Sequence, residues 1–313
     1  MNTTAVVLDK PRSIGLEGLT LLDAGERDVV IDVAWSGIST GTEKLLFEGA
    51  MPPFPGMGYP LVPGYEAVGR IAQAGAQSGR RAGDMVFVPG ARCFRGVNGL
   101  FGATASRLVV AGERAVVVPE PLGEDAVLLA LAATAHHALR LDGAPPPDLV
   151  IGHGVLGRLL ARVALALGFA APTVWERDAA RRDGARGYRV IDGAADTRSD
   201  YRAIIDASGD PHVLDTAIAH LAPRGHITLA GFYGAPLGFA FPPAFMREAR
   251  IAIAAEFTPD DTRAVLALAA DGRLRLDGLI THRAAAADAP AAYATAFGDP
   301  ACVKMVLDWR TSA

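Results

Sequence analysis

The chain has 313 residues, 50% of them hydrophobic and 20% charged, with a formal net charge of −4. That length suits two cores better than one, and the composition excludes a disordered or fibrous chain. Lys and Arg are scattered without a basic run, which argues against a nucleic-acid partner, and two cysteines, Cys93 and Cys302, cannot staple so large a chain, so a reducing cytoplasm is the expected setting.

The opening MNTTAVVLDKPRS is interrupted by charge and does not read as a secretory leader. Up to about residue 120, TAVVL, DVVIDVAW, AVGRIAQAG, DMVFV, ASRLVVA and AVVVP alternate with Gly, Pro and Asp turns, predicting a partly closed antiparallel sheet. EDAVLLALAATAHHALRL, residues 124–141, predicts a helix. After GAPPPD the period changes. LVIGHG predicts a strand running into glycines, VLGRLLARVALALGF a long helix, PTVWE a strand and DAARRDGAR a helix. YRVID and RAIIDASGD predict strands, PHVLDTAIAHLAPRG a helix, and HITLAG and IAIAAE two further strands. Such alternation predicts a parallel sheet covered on both faces. Arg162 and Pro172 break the longest apolar stretch, so no membrane segment is expected. TRAVLALAADGRL and AAAADAPAAYATAF predict helices, and VKMVLDW a closing strand suited to rejoin the first sheet. The expected fold class is α/β: a β-rich domain of residues 1–122 and 258–313, with a doubly wound parallel-sheet (Rossmann) domain, 123–257, inserted in it.

Gly152-His153-Gly154-Val155-Leu156-Gly157 is a GxGxxG between a strand and a helix. In that place the glycines allow a tight turn, close approach to a pyrophosphate and close helix–strand packing, and the helix N-terminus favours the anion. Glu176, nineteen residues after Gly157, is placed to accept from the adenosine ribose hydroxyls and repel a 2′-phosphate, which points to NAD; Arg177 beside it points the other way. Ser208 and Gly231, after the fourth and fifth strands, are expected to line the cofactor. His153 is placed either to bond a phosphate or to face solvent. A bound dinucleotide implies hydride transfer, and alcohol oxidation also needs a proton acceptor.

Ser36–Leu45, SGISTGTEKL, sets four hydroxyls beside Glu43. With Gly64-Tyr65-Glu66 and the order of parts, it resembles the medium-chain dehydrogenase/reductase family, which implies a GroES-like first domain. At the positions where zinc-dependent members carry Cys and His, this chain has Thr40 and Tyr65. A further thiolate position falls on Ala130, and the family's relay histidine on Leu45. A hydroxyl and a phenol are poor zinc ligands and Glu66 alone holds no ion, so no metal is expected. The resemblance implies that Thr42 bonds the substrate oxygen; Tyr65, tuned by Glu43 or Glu66, is the expected general acid/base. The blander reading is that Thr40 or Thr42 caps a short helix over EKLLFEG. Of the adjacent His136 and His137, about 100° apart on a helix, one is expected to face the site, with His137 a minor candidate as a shuttle. Cys93 is expected to be a small buried hydrophobe.

STGTEKLLFEGAMPPFPGMGYPLVPGYEAVGRI, with FVPGARCF, LFGATASRLVV and KMVLDW, is similar to a narrower family, the dehydrogenases of bacteriochlorophyll biosynthesis. That resemblance implies NAD-linked oxidation of a tetrapyrrole C3 1-hydroxyethyl group to acetyl. Phe47, Met51, Phe54, Met57 and Tyr59 would then wall a flat macrocycle or else pack over their own domain, and Arg92, Arg95 or Arg107 would meet its propionate. A zinc-independent NADPH quinone or enoyl reductase, and a non-catalytic dinucleotide-binding protein, are the alternatives. IAIAAE is a candidate edge strand for a homodimer.

Overall fold

The computed structural model describes residues 1–53 and 55–310. The chain forms two compact units, 1–130 with 279–313 and 131–278.

The first unit opens with β1 (Asn2–Lys10), β2 (Ser13–Thr20) and the long β3 (Asp28–Ile38), whose alternating burial follows the valine and isoleucine spacing. A short helix α1 (Thr42–Glu48) leaves β3 through a polar turn and stops at Gly49. There follow β4 (Leu61–Val62), β5 (Ala67–Ala74), β6 (Met85–Val88), β7 (Asn98–Gly99), β8 (Arg107–Ala111) and β9 (Val116–Val117). A stretch of 3₁₀ turns, Glu120–Leu128, leads into α2 (Leu129–Leu139), which belongs almost wholly to the second unit, so the helix expected from 124 starts later; Gly123, within the 3₁₀ stretch, has a non-helical backbone.

In the second unit come β10 (Leu149–Ile151), α3 (Val155–Ala166), β11 (Thr173–Trp175), β12 (Arg189–Ile191), β13 (Tyr201–Asp206) and α4 (Val213–His220). They continue into β14 (Leu221–Leu229), α5 (Phe241–Met246), β15 (Arg250–Ile253) and α6 (Pro259–Ala270). The chain then returns to the first unit with β16 (His282–Ala285), α7 (Ala289–Gly298) and β17 (Met305–Asp308).

In the first unit the sheets run β2-β1-β4-β7 and β16-β17-β3-β5-β6-β9, with β8 also on β3. β17 pairs antiparallel with β3, Leu307 opposite Ser36, so the closing strand does rejoin the first sheet. The second unit holds a six-stranded parallel sheet, β12-β11-β10-β13-β14-β15, the doubly wound order with its crossover at β10. Each unit has its own apolar core, one around Val30, Ile71, Leu108 and Tyr293, the other around Leu149, Ile204, Ile218 and Leu229.

Other local expectations fail as well: LAPRG, expected to end a helix, opens β14 instead. DAARRDGAR makes only one 3₁₀ turn, Ala179–Arg181, capped by Asp178, because Gly184 and Gly187 follow and no apolar stripe is there to bury. SIGLEGLT, unassigned from sequence, is β2; it is half-exposed and shows little alternation, and its pairing to β1 along nearly its whole length holds it.

Candidate functional site

In the second unit β10 delivers the chain into the glycine turn. Gly152 takes φ 99°, a conformation that glycine adopts without strain. At Gly157 an added Cβ would lie 1.8 Å from the carbonyl oxygen of Gly152, so helix and loop touch backbone to backbone. α3 starts at Val155, with Gly154 as N-cap and no capping side chain, which leaves the first N–H groups of Val155 and Leu156 to an anion. These features fit a dinucleotide pyrophosphate. The buried Glu176 ends β11 and accepts from the N–H groups of His153 (3.1 Å) and Asp178 (3.0 Å), which ties the acid to the loop. Arg177 is exposed and lies 3.7 Å from Asp210. Beyond β13, Ser208 donates to Asp206 at 2.7 Å, and Tyr233 donates to the same carboxylate, whose pKa burial pushes up. Gly231 lies beside the Tyr233 ring and Gly209.

His153 points neither to a phosphate nor to solvent. Its ring is buried between the carbonyl of Arg181 (2.7 Å) and the hydroxyl of Tyr188 (2.9 Å), and burial pulls its pKa down to about 4. His136 and His137 both reach one carboxylate, Asp261 of α6, at 2.7 and 3.0 Å. Burial raises Asp261, but donors from Thr258 and the two rings outweigh it and hold the pKa at about 2.

In the first unit a second polar group gathers at the end of β3. Gly41 is the N-cap of α1 and no side chain caps it, so neither Thr40 nor Thr42 is used as a cap. The hydroxyl of Tyr65 donates to Ser39 Oγ at 2.6 Å and is also bonded to Thr42. Thr40 is half-buried beside them in sequence, and Leu45, at the relay position, faces partly outward on α1. Burial, then the charges of Glu66 and Glu43, push the Tyr65 phenol far above its ordinary range. Such a group passes a proton on but does not hold a negative charge. Glu43 is fully buried; it accepts from the N–H of Ser39 (3.0 Å) and from Tyr293 Oη (2.5 Å). Burial raises its pKa to about 7, against those two bonds, with Glu66 adding to the rise. Glu66 is paired at 2.5 Å with the equally buried Lys304, whose ammonium also reaches the carbonyl of Ile38 at 3.1 Å. Burial raises the Glu66 pKa while Lys304 opposes it.

Tyr293 and Lys304 escaped the sequence reading. Only Lys304 left a trace there, as a charge between the apolar Val303 and Met305 of VKMVLDW. The proline-rich loop packs over its own unit: Phe47, Met51, Met57 and Tyr59 lie against Leu8, Leu46, Leu61 and Leu100, and Tyr59 donates to the carbonyl of Leu46. Phe54 lies outside the described residues. Arg95 and Arg107 are paired with Asp23 and Asp32, and Arg92 is exposed. Cys93 is buried, its thiol pushed up to about 11 by burial, as suits a small hydrophobe.

Residues 25–120 match the alcohol dehydrogenase GroES-like domain. Over its full length the chain is 54% identical to the 2-desacetyl-2-hydroxyethyl bacteriochlorophyllide A dehydrogenase of Cereibacter sphaeroides, covering 100% of both chains. It is 55% identical to the protein of that name in Rhodobacter capsulatus, covering 99% of both. L-idonate 5-dehydrogenase of Escherichia coli, 18% identical, has the same fold with a TM-score of 0.86 over 99% of each chain. The chain belongs to the medium-chain dehydrogenase/reductase superfamily and, within it, to the family of the 2-desacetyl-2-hydroxyethyl bacteriochlorophyllide A dehydrogenases.

Proposed function

We propose that this dehydrogenase oxidises the hydroxyethyl side chain of a bacteriochlorophyllide to an acetyl group, with NAD as hydride acceptor and without a metal ion. The full-length identity to two curated proteins of that name carries the substrate reading. Gly152, Gly154, Val155, Leu156 and Gly157 would hold the pyrophosphate on the N–H groups of α3, with Ser208 and Gly231 along the strand ends. Glu176, an anion at the end of β11, favours NAD by repelling a 2′-phosphate. The nicotinamide would supply a hydride acceptor.

Zinc does not suit the donors present. Thr40 offers a hydroxyl, Tyr65 a phenol that burial keeps protonated, and Glu66 is already paired with Lys304. Thr42 would orient the alcohol, and Tyr65, bonded to Thr42 and Ser39, would take its proton and hand it on. A homodimer formed through β15 goes with this reading: β15 is an unpaired sheet edge with Ile253 72% exposed, and Phe241, Phe245 and Met246 of α5 are exposed as well.

The test is to mix purified protein, NAD and a hydroxyethyl bacteriochlorophyllide and follow the long-wavelength absorption band. Acetyl formation extends the conjugation and moves the band to the red. An unmoved band with both NAD and NADP would sink the substrate reading, and a strong NADPH preference with a quinone would replace it.

A further inference from the structure

Oxidising an alcohol releases a proton as well as a hydride. Tyr65 cannot keep that proton's charge in balance, because its phenol stays protonated, and Leu45 offers no proton site. Glu43 offers one. It follows Thr42 in the chain, and its carboxylate is fixed by the N–H of Ser39 and by Tyr293 Oη at 3.0 and 2.5 Å. The charged and titratable groups around it are Tyr293 from α7, Tyr65 and Glu66 from the turn before β5, and Lys304 from the turn before β17. Glu66 and Lys304 cancel, so the buried cluster is neutral when Glu43 carries a proton and singly negative when it does not. Burial disfavours the second state and the donors favour it, which leaves the acid balanced at about 7.

We propose that Glu43 receives the proton lost by the substrate alcohol, passed along the hydroxyls of Thr42, Tyr65 and Ser39. The inference rests on the dehydrogenase reading above. As the C–H electron pair and its hydrogen leave the carbinol carbon for the nicotinamide, the O–H bond breaks and C=O forms. Each hydroxyl gives up its own proton as it takes the next. The last hop runs from the Ser39 hydroxyl to the carboxylate that accepts from the N–H of the same residue. The sum is alcohol, oxidised nicotinamide and carboxylate going to ketone, reduced nicotinamide and carboxylic acid. Oxidation therefore needs Glu43 ionised: kcat should rise with pH through about 7, and kcat for acetyl reduction should fall through the same range.

Glu43→Gln keeps the shape and an acceptor for the N–H of Ser39. In the NAD-loaded protein it should lower kcat for oxidation on the order of a hundredfold, leave KM for both substrates nearly unchanged, and flatten the limb near neutrality. Glu43→Asp should recover part of the rate and the limb with it. Tyr293→Phe removes a donor that favours the ionised form, so the limb should move to higher pH. A readout independent of turnover is the protonated-carboxyl band in infrared difference spectra, which should titrate near neutral pH and vanish in Glu43→Gln. Full turnover by Glu43→Gln with an unchanged pH profile overturns the inference alone. No turnover by the unaltered chain overturns the dehydrogenase reading, and the inference with it.

Discussion

A buried lysine just before the closing strand must find an acid or lose its charge. Lys304 finds Glu66, with both side chains fully shielded from water. The pair is poor evidence of net stability, but halving it should be costly. Lys304→Met leaves Glu66 buried without a partner, so calorimetry should report a loss of about 3–5 kcal/mol. Adding Glu66→Gln should restore much of it, and simple additivity of the two changes would show that the pair does not act as a unit. At Glu176 the side chain is tied to the loop by two N–H donors. Glu176→Gln keeps one acceptor and removes the charge. It should weaken NAD binding by about 1.5–3 kcal/mol and raise NADP binding relative to it, as read by titrating each dinucleotide. Unchanged preference would remove this carboxylate from cofactor selection.

Among the elements, the glycine turn is the tightest joint in the second unit. Gly157→Ala sets a methyl against the backbone oxygen of Gly152, an atom that cannot swing aside as a side-chain end could. α3 must then lift from β10. NAD affinity should fall by about tenfold or more, which is about 1.4 kcal/mol, in an equilibrium titration. Binding at the wild-type level would mean that the turn relaxes elsewhere. α1 shows how a neighbouring element can redirect polar residues. Its N-terminus has no capping side chain, and that leaves the Thr42 hydroxyl for Tyr65.

For the whole molecule, most of the exposed large apolar residues lie in the second unit. They include Phe241, Phe245 and Met246 of α5 and Ile253 of β15, at the end of the parallel sheet. An exposed edge of this kind invites pairing. Ile253→Glu should convert a dimer to a monomer by light scattering at micromolar concentration, without lowering NAD affinity. A monomeric unaltered chain would end the dimer reading. No helix among the described residues is long and apolar enough to cross a membrane.

Features that depend on local pattern were legible in the order of the residues. The parallel strands and the glycine turn follow from short-range periodicity and fixed spacings, and alternation marks VKMVLDW as a strand, although its seat beside β3, Leu307 opposite Ser36, is a long-range pairing. Tertiary structure decided what depends on distant partners. Glu43 meets Tyr293 across 250 positions and Glu66 meets Lys304 across 238, and no local pattern announces either meeting. The same holds for His153, turned inward by Arg181 and Tyr188, and for Asp261, shared by two histidines. Whether a buried acid is charged depends on the groups the fold brings around it and on how little water remains, and neither is written in the order of the residues.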